Sequence, residues 1–196
     1  MKTLKQHIFE KLKVYKNPYT LFPKTKDELK RMVADEILKN GNKCSLNHID
    51  VSRITDMVAL FYDSKFNGDI SNWDVSTVKD MSYMFASSEF NGDISNWDVS
   101  NVEDMAFMFY NAKFNGNISN WDVSRVTNIR EMFAYSEFNG DVSNWDVSNV
   151  TDMSRMFNSS KFNGDVSNWN VSSVTDMTKM FRRSPLENNP PKWYKK

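Results

Sequence analysis

The phrase Phe-Asn-Gly-(Asp/Asn)-(Ile/Val)-Ser-Asn-Trp-(Asp/Asn)-Val-Ser begins at Phe66, Phe90, Phe114, Phe138 and Phe162, each copy 24 residues after the last with no insertion. A unit this short cannot enclose a core of its own. It must bury its apolar face against the next copy, so a fixed period implies a stack in which each unit touches only its neighbours. Such a chain is expected to bind along a repeated surface rather than to hold one catalytic pocket.

Within the unit Phe66–Glu89 the apolar positions are Phe66, Ile70, Trp73, Val75, Val78, Met81, Met84 and Phe85. From Ile70 to Val78 the spacing is that of a leucine-rich repeat, which predicts a short strand within Asp69–Val75. Val78, Met81, Met84 and Phe85 then fall at helical spacing, predicting a short helix or 3₁₀ turn behind it, with Thr127, Thr151 and Thr175 as N-caps in their units. The expected fold is therefore an α/β repeat solenoid: a leucine-rich-repeat-like stack of parallel short strands backed by short helices or 3₁₀ turns, with an N-terminal helical cap. The Asn67-Gly68 pairs are read as tight corners with glycine at positive φ, and the Asn72 column as an asparagine ladder. The last position of successive units reads Lys65, Glu89, Lys113, Glu137, Lys161, an alternation that sets opposite charges side by side if the units stack.

The ends differ from the middle. Residues 1–41 read as a helical segment and cap, with capping boxes at Thr3-x-x-Gln6 and Thr25-x-x-Glu28 and helices expected near 3–15 and 26–39, the second stopped by Asn40-Gly41. Residues 42–65 align as a degenerate first repeat, 66–185 hold the five full repeats, and 186–196 form a half repeat and tail with Leu186 and Trp193 in the Phe and Trp slots.

Composition excludes several classes. The formal net charge is zero, so no global field marks a nucleic-acid partner. Residues 1–65 carry 13 Lys/Arg against 8 Asp/Glu, whereas residues 66–185 carry 9 against 16, a mild polarity. With Cys44 the sole cysteine, neither an internal disulfide nor a cysteine zinc cage is available. No apolar run approaches the ~20 residues that span a bilayer, and residues 1–16 lack the apolar stretch of a secretory signal, which predicts a cytoplasmic protein. No cofactor is expected. The spacing Asp69-x-Ser-Asn-x-Asp74 loosely matches a calcium loop, but turn-capping aspartates account for the same residues; the reading favours no metal. The recurring carboxylates suit a glycosidase pair, yet five equivalent pairs argue for architecture, and the chain is read as a non-enzyme.

Changing slots lie on the helical side of the unit: Tyr83, Phe107, Glu131, Arg155 and Lys179 share one column, and Ala86, Tyr110, Ala134, Asn158 and Arg182 another. Invariant slots pack the interior, so changing ones face outward. Aromatics and arginines dominate protein–protein hot spots. Tyr83, Phe107, Tyr110 and Tyr135 are therefore expected to form an apolar patch, with Arg155, Arg182 and Arg183 as its charged flank and Glu131 and Lys179 in the same column.

The repeat resembles the BspA-type leucine-rich-repeat-like family of bacterial surface proteins, whose phrase F-N-x-D-I-S-x-W-D-x-S-x-V-x-D-M-x-x-M-F is met almost letter for letter from Phe66 to Phe181. The resemblance covers roughly residues 25–181. It implies a leucine-rich-repeat-like solenoid that binds rather than catalyses, often at the cell surface, although no secretion signal or lipidated N-terminal cysteine accompanies it here.

These readings converge on a protein–protein interaction module, monomeric or paired end to end. The alternatives are a carbohydrate- or host-binding adhesin that stacks sugars on exposed tryptophans, and a repetitive part of a larger particle such as a phage. The tryptophan column separates the first two: a buried column predicts blue-shifted emission resistant to acrylamide, a sugar platform red-shifted emission that changes with added glycan.

Overall fold

The computed structural model describes residues 18–195. The helix expected near 3–15 lies outside them. Helix α1 (Lys26–Asn40) forms as its capping box dictates: Thr25 accepts from the Glu28 amide at 3.2 Å, while the Glu28 carboxylate accepts from the Lys24 amide at 2.7 Å. Gly41, at φ 84°, donates to the Ile37 carbonyl and ends it. Leu29 and Val33 bury its inner face, and Lys26 reaches Asp56 at 3.0 Å. Leu21 pairs with Ile49 in a single parallel bridge.

Beyond α1 the chain is a solenoid-like stack with periodic Phe and Trp cores. Phe66 to Phe162, Phe85 to Phe181 and Trp73 to Trp169 are all buried. Burying one such ring stabilises by about 1.5–3 kcal/mol, repeated at each rung.

Where the rungs are joined differs from the sequence expectation. No strand longer than a bridge forms within Asp69–Val75; there only Ser45 and Asp69 pair. The continuous column of parallel bridges runs instead through Asp56, Asp80, Asp104, Asn128, Asp152 and Asp176. The segment that follows, expected as a helix or 3₁₀ turn, is a run of overlapping turns. Met84, Ala86 and Ser88 donate back to the carbonyls of Met81, Tyr83 and Phe85 at 3.1–3.2 Å, while Met81, Tyr83, Phe85 and Ser87 donate forward to Asp104, Ala106, Met108 and Tyr110 in the next rung at 2.7–2.9 Å. Alternate amides thus serve the rung and the stack in turn. The Ser82 amide, left over, is taken by Asp80 Oδ1 at 2.8 Å. Every amide from Met81 to Ser88 is satisfied without helix or extended strand, which meets the demand on buried backbone groups.

This alternation forces positive φ at two positions per rung, Tyr83 (57°) and Ser87 (57°) and their equivalents, as the third residue of a type II turn requires. Glycine does not occupy them. The repeated glycines have a different cause from the one expected: none of Gly68 to Gly164 is at positive φ. A Cβ on Gly116 would stand 2.8 Å from the ring of Phe114 two residues earlier, so the corner is glycine for space.

On the opposite side of the rung, side chains make the bridges. Each indole N–H, from Trp73 to Trp193, donates to the carbonyl 27 residues earlier at 2.9–3.2 Å. The asparagine ladder lies in the Asn67 column, not at Asn72: the amides of Asn91, Asn115, Asn139 and Asn163 donate to the side-chain oxygen one rung back at 2.8–2.9 Å, whereas the Asn72 amide is held by Asn47. Thr127, Thr151 and Thr175 cap no helix; their hydroxyls donate to the carbonyls of Glu103, Thr127 and Thr151. The cause is spacing. Hydrogen-bonded backbones lie about 4.8 Å apart; equivalent ring centroids are 5.4–5.9 Å apart from Phe61 to Phe181, 6.2 Å for Phe66–Phe90 and 6.5 Å for Trp73–Trp97. At the indole and Asn67 columns side chains span the wider gap, whereas at the threonines the backbone crosses as well, the Thr127 amide reaching the Glu103 carbonyl at 2.9 Å, as does the Lys113 amide to the Ser88 carbonyl at 3.1 Å.

Of the alternating charges at the last unit position, Glu137 pairs with both Lys113 and Lys161; Glu89 takes part in no such pair among the described residues. At the far end Trp193 stacks on Trp169 at 6.4 Å and Tyr194 meets Phe181 edge-on at 5.1 Å, closing the core beyond the short 3₁₀ turn Pro185–Glu187.

The left-handed positions make a direct prediction. At Ser159 (φ 55°), valine should destabilise by about 1–2 kcal/mol because a β-branched side chain resists that conformation, whereas Ser159→Gly should leave the urea midpoint equal or higher.

Candidate functional site

The ladder face gathers the nominated aromatic and charged residues, while Ala86, Ala134 and Asn158 of the second changing column, expected to face outward, are buried beneath it. In each rung Met84 and Phe85 point into the core, and the positive-φ residues on either side turn their side chains outward. Tyr83 and Phe107 stack at 4.5 Å; Phe107 meets Tyr110 at 5.8 Å, and Tyr110 meets Tyr135 at 5.5 Å. Tyr83 and Tyr135 keep 37% and 47% of their surface exposed. Burial pushes the Tyr110 hydroxyl up, with Tyr135, Glu131, Tyr62 and Tyr83 adding to it, so all of these lie around one point.

The charged residues follow along the same face. Glu131, only 8% exposed, accepts from Arg155 Nη1 at 3.1 Å and lies 3.7 Å from Arg130 Nη2. The Arg130 guanidinium also stands 5.9 Å from the Phe107 ring centroid, within cation–π range. Apolar patch and charged flank therefore share one junction, Phe107–Arg130–Glu131–Arg155. Lys179, Arg182 and Arg183 lie in the last rung and are exposed.

Two members escaped sequence reasoning. Tyr62, 56% exposed, belongs to the degenerate first unit, in the column of Ala86 and Tyr110. Arg130 stands in a column otherwise filled by Ser82, Ala106, Ser154 and Thr178. A large cation breaking a small-residue column was the available signal.

The tryptophans contribute nothing to a surface: Trp73 to Trp169 retain 3–5% exposure with their N–H groups already bonded. The aspartates of the calcium-like spacing cap their own turns. Asp69 accepts from the Ser71 amide and hydroxyl, and Asp74 from those of Ser76. Among the described residues no group of three or more His, Cys, Asp or Glu is placed to hold a metal.

A family profile described as "Mycoplasma protein of unknown function, DUF285" matches residues 27–135 and, overlapping, 88–194. No curated protein and no solved structure matches the chain.

The turn caps set an acid limit on stability. The Ser71, Ser95, Ser143, Ser167 and Thr178 amides hold Asp69, Asp93, Asp141, Asp165 and Asp176 below the usual carboxylate range, and the Ser100 and Ser148 hydroxyls do most of the same for Asp98 and Asp146. Carboxylates lowered on folding contribute stability above the unfolded value of about 3.9 and lose it as pH falls through the depressed values. The urea midpoint should be flat from about pH 7 to 5 and fall steadily below about pH 4.

Proposed function

Because the chain belongs to the DUF285 family of repeats, related to the BspA-like ones, we propose that it is a non-enzymatic protein-binding module built on a leucine-rich-repeat-like plan. The ladder face is its recognition surface. One observation carries this reading: the residues that vary between otherwise near-identical rungs are aromatic at one end of the face, cationic at the other, and joined through Arg130 and Glu131. The phenylalanine and tryptophan core beneath repeats in every full rung, so the core does not call for that variation.

The surface matches the hot-spot composition of protein interfaces. Tyrosine offers large contact area at low entropic cost. The partner this face suits presents apolar side chains to Tyr83, Phe107, Tyr110 and Tyr135 and carboxylates toward Arg155, Lys179, Arg182 and Arg183. Positive-φ backbone at Tyr83, Phe107, Tyr135, Arg155, Lys179 and Arg183 holds these contact residues in place before binding, which lowers the ordering cost.

Affinity capture with the whole chain, followed by direct titration of the recovered partner against purified protein, tests the assignment. Tyr83→Ser combined with Phe107→Ser should weaken binding at least tenfold, about 1.4 kcal/mol, with the thermal midpoint little changed. Undiminished binding by that variant would remove the ladder face from the interface.

A further inference from the structure

The ladder stops at the last full rung, and its edge there is open. In every earlier rung the amides equivalent to Met177, Lys179 and Phe181 donate forward to a neighbour; for Phe157 the acceptor is the Met180 carbonyl at 2.9 Å. Met177, Lys179 and Phe181 themselves donate to no group among the described residues. The fourth, Arg183, donates to the Glu187 side chain at 3.0 Å, a carboxylate standing where the next rung's carbonyl would be. The tail fills only the other half of that next level, with Trp193 in the indole slot.

A step is left, and beside it lies a cavity of about 270 Å³ lined by Lys179, Phe181, Arg182, Glu187 and Tyr194. Its wall is aromatic where Tyr194 meets Phe181. Its rim carries Lys179 and Arg182, with Arg183 next to them, against the single carboxylate of Glu187.

We propose that this step binds an acidic peptide segment, folded in the same run of turns as the earlier rungs and laid along the ladder edge as one further half rung. Alternate carbonyls of the segment accept from Met177, Lys179 and Phe181, as the carbonyls of each rung do from the rung before it, so that main-chain bonds complete the open edge. An apolar side chain enters the cavity against Phe181 and Tyr194, and flanking carboxylates meet Lys179 and Arg182. Glu187 shows that the edge takes a carboxylate oxygen in this position. The site shares Lys179 and Arg182 with the cationic end of the recognition face but does not use the aromatic cluster at Tyr83 and Phe107.

The test uses the whole chain and a fluorescein-labelled peptide Glu-Val-Glu-Phe-Glu-Val-Glu, with the lysine-for-glutamate peptide as control. Fluorescence polarisation should show saturable binding of the acidic peptide alone. Hydrogen exchange read by NMR should slow at least tenfold at the Lys179 and Phe181 amides. Arg182→Glu, and separately Lys179→Glu, should weaken binding at least tenfold, while Tyr83→Ser with Phe107→Ser should leave it unchanged. The proposal is overturned if no binding appears up to about 1 mM peptide, roughly −4 kcal/mol. Binding with unaltered exchange at the edge amides, or binding lost with the aromatic pair, would overturn it equally.

Discussion

Every other feature of this solenoid depends on the division of labour among the amides of one short segment. Between Met81 and Ser88, one amide in two closes a turn within its rung and the next reaches across to the following rung. A helix would spend all its amides internally and leave nothing to join the rungs. An extended strand would send half of them outward on each side and would not fold back over the phenylalanines. Overlapping turns do both. Each forward bond is worth about 1 kcal/mol net, but leaving it unmade in a covered segment costs more, so the ladder fixes register as firmly as it adds stability.

The same division creates the surface. Positive φ at Tyr83, Ser87 and their equivalents lifts those side chains out of the core, so identity there is free to change while Met84 and Phe85 are not. Away from the ladder, the Trp N–H groups and the Asn67-column side chains join one rung to the next, and at the threonines hydroxyl and amide donate to the same carbonyl. The tryptophans and the Asn67-column asparagines repeat in all five units because each connects its rung to a neighbouring one. On the ladder face the variation sets an aromatic cluster and a cationic run end to end.

Much of this was legible in the sequence. The period fixed the stack, and the nominated aromatics do meet one another; variation was an incomplete guide to the surface, since Ala86, Ala134, Asn158 and Glu131 of the changing columns are buried. Helix α1 was announced by Thr25, Glu28 and Gly41. What misled was the leucine-rich spacing of Ile70 to Val78, which marks burial but not hydrogen bonding. Met81, Met84 and Phe85 imitate helical periodicity because a run of turns also brings every third or fourth side chain inward. No sequence rule flags non-glycine residues as left-handed, and glycines needed for ring clearance look the same as glycines needed for φ. The asparagine ladder was expected at Asn72 and lies at Asn67, because both columns repeat without change and repetition alone does not say which side chain reaches the next rung.

The forward hydrogen bonds can be observed individually. Scalar coupling across a hydrogen bond links an amide nitrogen to the carbonyl carbon it donates to, and a long-range carbonyl correlation experiment on isotope-labelled protein reads the pairs directly. Cross-peaks joining Tyr83 to Ala106, Phe85 to Met108 and Ser87 to Tyr110 are the predicted result. Correlations joining these amides to carbonyls four residues earlier in their own unit would make the segment a helix and contradict the architecture described here.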